Sequence, residues 1–268
     1  MRALRRPRLA WAAAGVHLGA LLTGATPVAR ATKPALMPLL AEYVLVRGGP
    51  PLLAVALLLG CAGDVLLQAG GETAFLLGMG AFAAGHLCYL GLFARHGARH
   101  GARPTGRTGP TAAPGAPGRS ARPGAPGVPA VGYAAAWAGT TALLWPGLPE
   151  RLRPPVALYG LLLTAMAYGA LRTGRRGAAG GALFLLSDTL IASGLAGWPQ
   201  ARTPQFWIML TYLGAQALLA DAVVRAAAGA EDTGHRPGPF RRWSGLQWSG
   251  LRWSGRQPRA AARASTMP

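Results

Sequence analysis

The sequence predicts an all-α integral membrane protein, a bundle of about eight transmembrane helices with both termini in the cytoplasm. Three observations predict it. Hydrophobic residues make up 51% of the 268 and charged residues only 13%, against about 25% charged in an average soluble domain. The 27 basic and 8 acidic residues are gathered in a few places, which leaves long stretches free of charge. Several of those stretches approach the ~20 apolar residues that a bilayer-spanning helix needs.

Joined across isolated charges, the apolar stretches define eight segments at about 9–28, 33–46, 50–70, 73–94, 128–146, 154–171, 178–197 and 205–224. The first follows an arginine-rich start, Met1 to Arg8. Together with Ala29-Arg30-Ala31 it also has the layout of a secretory signal peptide, so cleavage near residue 31 stays open, and it would leave seven helices in the same orientation. The second segment is short and carries Glu42. Pro34 suits a first helical turn and the run Leu36 to Val46 is apolar, which favours a helix starting there. Segments three and four are separated by Gly70, Gly71 and Glu72.

Between the fourth and fifth segments, about 95–127, Arg, Gly, Pro, Ala and Thr dominate, a composition that cannot bury a core and predicts a disordered loop. The membrane domain spans residues 1–225. From 226 to 268 the chain is basic and repeats Trp-Ser-Gly at Trp243, Trp248 and Trp253. A period of five puts successive tryptophans on different helical faces, so a disordered tail is expected, with arginine and tryptophan suited to a bilayer surface.

Orientation follows from the basic residues. The eight-segment arrangement puts 22 on the side of the termini and 5 on the other, and positive-inside bias makes the first side cytoplasmic. The protein is thus expected in the cell membrane as a multi-pass protein in contact with membrane lipids. The formal charge of +19 would suit nucleic acid if it formed one stripe, but it flanks apolar segments, so no nucleic-acid partner is expected. Cys61 and Cys88 are the only cysteines, too few for a disulfide framework, and both suit small buried apolar positions.

Ionisable residues at membrane depth are costly and tend to face a cavity or a partner. Asp64 and Asp188 are the clearest cases, each with glycine within two turns, which lets a neighbouring backbone approach. Either one alone is equally explained by capping or bracing a helix, but two with few other buried charges point to function. His86 is the deepest histidine and shares a helical face with Phe82 and Tyr89. A three-histidine metal site lacks ligands, since only His17 is otherwise intramembrane. Lys33, the only lysine, is expected at the outer mouth of the second helix.

These residues fall in a series of short motifs: Thr32-Lys33-Pro34, Gly63-Asp64-x-Leu66-Leu67, Phe82-x-x-Gly85-His86-x-x-Tyr89, Gly181-Ala182-Leu183-Phe184-x-x-Ser187-Asp188 and Tyr212-x-x-x-Gln216, with Tyr159 and Met166 in the sixth segment. As an ordered set over about residues 9–224 they resemble the YhhN family of integral-membrane lysoplasmalogenases. The resemblance implies a helical bundle and a hydrolase that cleaves the vinyl ether bond of a lysoplasmalogen to a fatty aldehyde and a glycerophospho-base.

A vinyl ether is cleaved by protonating its β-carbon, after which water captures the oxocarbenium ion. That chemistry needs an acid and a base but no metal or cofactor, and two carboxyls in different surroundings supply both. Asp64 and Asp188 are the expected catalytic pair. Lys33 would attract the phosphate, while His86, Tyr159, Ser187, Tyr212 and Gln216 would orient water or glycerol hydroxyls. A proton-coupled transporter using the same aspartates is the alternative, and a purely structural membrane protein a third reading. Pairing as a homodimer is left open.

Overall fold

The computed structural model describes residues 6–101 and 127–232, and among them the chain forms eight α-helices and no strand. They are α1 (Arg6–Thr23), α2 (Thr26–Val46), α3 (Pro51–Ala69), α4 (Glu72–Gly101), α5 (Val128–Leu144), α6 (Arg153–Ala170), α7 (Arg175–Leu195) and α8 (Pro204–Asp232). Short 3₁₀ turns, Glu150–Leu152 and Leu171–Thr173, flank α6. Five helical stretches are long and apolar enough to cross a bilayer: Pro51–Ala69, Glu72–His96, Glu150–Thr173, Arg175–Leu195 and Pro204–Gly229. The apolar parts of α1 and α5, Leu9–Thr23 and Val128–Leu144, are shorter, and α2 carries Arg30, Lys33 and Glu42.

Consecutive helices pack side by side from α1 to α4; α4 then meets α6, and α6, α7 and α8 follow in turn. Helix α8 returns to touch α1, α2, α3 and α4, so these seven helices surround a shared core, while α5 packs outside against α6 and α7. Accordingly α5 buries only Leu144. The core includes Met37, Leu53, Leu57, Tyr89, Phe93, Leu163, Met166, Phe184 and Leu219.

Glycines set the closest approaches. A Cβ on Gly63 would lie 2.6 Å from the Phe82 ring and 3.0 Å from the Gly78 carbonyl. One on Gly181 would lie 2.9 Å from the Ala167 backbone. The glycines near the two aspartates therefore press α3 against α4 and α7 against α6, which is how small residues drive helix association where lipid supplies no hydrophobic force.

The structure moves three expected boundaries. The chain breaks at Gly24 and Ala25, so α1 ends before residue 28 and α2 starts at Thr26. Pro27 holds the first-turn position and Pro34 and Pro38 lie inside the helix. A proline at 38 deprives the Pro34 carbonyl of its i+4 donor, and the Cys61 thiol donates to that carbonyl instead at 3.2 Å. Ala29-Arg30-Ala31 is thus internal to a helix, with Ala29 buried. Helix α4 continues to Gly101 and α8 to Asp232, past the expected ends at 94 and 224. The expected disordered loop and tail otherwise fall at 102–126 and 233–268, outside the described residues.

The helix ends sort the charges. His96, Thr173, Arg175, Arg176 and Arg225 line one cavity of about 420 Å³, where Asp221 bridges Arg176 at 2.5 Å and Arg225 at 2.8 Å. Arg151 and Glu72 meet at 3.5 Å, joining the α3–α4 connection to the start of α6.

Candidate functional site

Lys33 lies about two turns into α2, not at its mouth, because the helix begins at Thr26. Its Nζ is 3.2 Å from Asp64 Oδ1, and the two side chains are 15% and 4% exposed. The ammonium is committed to a largely buried ion pair between α2 and α3. Breaking such a pair strands a charge away from water, at a cost on the order of 3–5 kcal/mol. Asp64 Oδ2 is buried and has no hydrogen-bond partner among the described residues.

Helix α8 supplies the next layer. Tyr212 sets its hydroxyl against the Asp64 carboxyl, in a notch left by Gly60, whose Cβ would lie 3.0 Å from that hydroxyl. Gln216, one turn along, points its Nε2 at the Tyr212 hydroxyl at 3.5 Å. Its Oε1 accepts from the Tyr89 hydroxyl of α4 at 2.7 Å. All three side chains are buried.

Asp188 sits across this core. The Tyr159 hydroxyl of α6 donates to Asp188 Oδ2, and His86 Nε2 of α4 lies 3.1 Å from the same hydroxyl. His86 is 1% exposed and is covered edge-on by Phe184 at 4.9 Å. Phe184 in turn meets Tyr212 at 5.6 Å, and Phe82 meets Tyr212 at 6.0 Å. The two carboxyls are within electrostatic reach of each other. Asp64 is buried, whereas Asp188 and Tyr159 are only half-buried, so this end of the cluster is its open side.

Seven of the eight residues selected from the sequence therefore form one polar cluster built by six of the seven ring helices: Lys33, Asp64, His86, Tyr159, Asp188, Tyr212 and Gln216. Ser187 does not join it. Its hydroxyl is buried and donates to the Ile208 carbonyl of α8 at 3.2 Å, which ties α7 to α8.

Three residues escaped selection. Tyr89, in the sequence a neighbour of His86 on one helical face, fixes the Gln216 amide. His17 is 1% exposed, and its Nδ1 lies 2.9 Å from the Thr32 hydroxyl, which itself donates to Val28 and Ala29 carbonyls. The imidazole is thereby the donor, and its buried Nε2 has no partner among the described residues. Gln68, one turn beyond Asp64 on the same face, likewise buries an unpartnered Nε2. Spacing on α3 points to Gln68, but nothing in the sequence places α1 against Thr32.

The arrangement offers two carboxyls in unlike surroundings. One is deep and ion-paired with a lysine; the other is nearer the surface and has no Lys or Arg partner among the described residues. Such a pair is suited to passing a proton out and taking one back. No match is found among curated proteins or solved structures. A model of one protein family, the YhhN family, matches residues 28–223, from the first turn of α2 to the last third of α8 and including every residue of the seven-member cluster. With the helical bundle and the ordered cluster it contains, the chain belongs to the YhhN family.

Proposed function

We propose that this multi-pass protein is a lysoplasmalogenase-like hydrolase in which Asp188 is the acid and Asp64 the base. The observation that carries the proposal is the meeting of the two aspartates, 124 positions apart in the sequence, in one core within electrostatic reach. Family membership and the spanning helices support a membrane enzyme acting on a lipid.

The roles follow from the surroundings. Asp64, held by Lys33, is the carboxylate, and its unpartnered Oδ2 is free to accept a proton from water. Asp188, on the half-buried side, has no cation to keep it ionised and delivers a proton to the vinyl β-carbon of the substrate. Water then adds to the oxocarbenium carbon while Asp64 takes its proton, giving a hemiacetal. In the collapse that follows, Asp64 returns its proton to the departing glycerol oxygen and Asp188 removes the hemiacetal hydroxyl proton. One water is consumed, aldehyde and glycerophospho-base leave, and both aspartates are reset. No step needs a metal. The Tyr159 hydroxyl holds the Asp188 carboxyl in place, and the Tyr212 hydroxyl stands beside that of Asp64.

The test is aldehyde release from a lysoplasmalogen by purified protein in lipid. Asp64→Asn and Asp188→Asn should each lower turnover by roughly 10² to 10⁴. Since Asp64→Asn also strands the Lys33 ammonium, a Lys33→Met, Asp64→Asn double variant separates lost folding from lost chemistry. Near wild-type turnover in either single Asn variant removes that aspartate from the mechanism.

A further inference from the structure

Within the reading of Asp188 as the acid, we propose that His86 is a positioning residue acting through Tyr159 and does not itself touch substrate. A tyrosine hydroxyl has one proton to give and lone pairs to accept with. Tyr159 spends its proton on Asp188 Oδ2. Its hydroxyl oxygen is 3.1 Å from His86 Nε2, and with the phenolic proton already committed, that nitrogen must be the donor. His86 is therefore the Nε2–H tautomer, and its N–H fills the lone pair that would otherwise let the Tyr159 hydroxyl swing to another acceptor.

The burial fits this role and not substrate contact. His86 is 1% exposed, Phe184 covers its ring at 4.9 Å, and its Nε2 faces Tyr159, so any substrate reaching Asp188 meets Tyr159 first. The same order of groups, a buried N–H behind a tyrosine hydroxyl behind an aspartate, recurs on α8, where Gln216 Nε2 backs Tyr212 beside Asp64. In both places the tyrosine is held from behind by a group that cannot reach the reacting atoms.

The consequence is a choice of oxygen. With Oδ2 receiving the Tyr159 proton, the proton that Asp188 transfers must ride on Oδ1. A rotating hydroxyl would let both oxygens compete, and the carboxyl would present its proton in the productive direction only part of the time. Loss of His86 thus lowers the rate of the proton-transfer step and leaves substrate affinity alone.

Two measurements on the full-length protein in lipid test this. In steady-state turnover, His86→Leu should lower kcat about tenfold, less than the roughly 10²–10⁴ that the proton donor itself contributes, with KM unchanged within about twofold. His86→Gln restores an N–H at a similar reach and should recover most of kcat. Because His86 acts through Tyr159, adding His86→Leu to Tyr159→Phe should cost nothing further. A rise in KM at constant kcat, an additive double variant, or a Gln variant no better than Leu overturns the proposal.

The second measurement does not depend on turnover. A hydrophobic carbodiimide labels protonated carboxyls, and peptide mass spectrometry reads the rate at Asp188. His86→Leu and Tyr159→Phe should each change that rate in the same direction by threefold or more, the double variant should match Tyr159→Phe, and His86→Gln should match the parent. Independent effects of the two single variants overturn the positioning role. If the parent protein releases no aldehyde, the hydrolase reading fails, while the labelling comparison still decides whether His86 works through Tyr159.

Discussion

Gly63 has a Phe82 ring where its side chain would be. Two ring carbons lie 2.6 Å from the position of a Cβ, and the Gly78 carbonyl of the same helix α4 lies 3.0 Å away. Neither the ring, which is buried against Tyr212, nor the α4 backbone can retreat without disturbing the Asp64 surroundings. Gly63→Ala should therefore destabilise the protein by about 1–3 kcal/mol, as overpacking does, and lower turnover as Tyr212 shifts. A thermal shift in detergent checks the first and aldehyde release the second. Gly80 of α4, by contrast, meets nothing within 4 Å, so Gly80→Ala should leave both unchanged and serves as the control on the facing helix. The seven clustered residues were legible one by one in the sequence because ionisable and polar side chains at membrane depth are rare. The pairings were not: Lys33 with Asp64 and His86 with Tyr159 depend on which helices are neighbours.

Helix α1 shows how a whole element takes part in the site. It packs along α2 and closes the ring against α8, and it buries His17 against Thr32, the residue before Lys33. The amphipathic signal in α1 is weak, and its arginine-rich start resembles an export signal, so its composition alone fits two fates. The continuous helix from Thr26 through Ala29-Arg30-Ala31 favours retention, since backbone held in helical hydrogen bonds beside a buried Ala29 is a poor protease substrate. Intact mass of the purified protein should show residue 17 still present, and a mature chain starting after Ala31 would contradict this. Deleting residues 1–24 should lower the melting temperature by several degrees, as expected for a loss of a few kcal/mol in a domain of this size. The second helix was the least well placed in advance. Pro34 satisfied the rule for a first turn, but Pro27 satisfied it as well, and only packing of Ala29 and Thr32 against α1 and the core selects the earlier start.

For the molecule as a whole, the basic residues at the ends of α4, α7 and α8 share one cavity, while Arg151 and Glu72 pair at a different connection. The 22-to-5 asymmetry of the sequence leads us to propose that the arginine-lined end faces the cytoplasm with both termini. Reporter fusions after Gly71, Arg175 and Arg225 test it: activity of an exported reporter is expected at 71 alone. Export at 175 or 225 would invert the topology and place the cavity of Arg175, Arg176 and Arg225 outside.

Composition and the spacing of charges determined on their own that the chain is helical and crosses a membrane several times, because lipid admits few backbone solutions and punishes stray charge. They also singled out Asp64 and Asp188, since the other carboxylates of the apolar segments, Glu42 and Asp221, fall near the segment ends. Tertiary structure alone decided that Lys33 neutralises Asp64, that Ser187 serves a helix contact, that His86 stands behind Tyr159, and that His17 belongs beside the site. Each of those depends on the direction of a side chain across a gap between helices far apart in sequence. Periodicity along one helix fixes which face a residue occupies, but not which neighbour that face will meet.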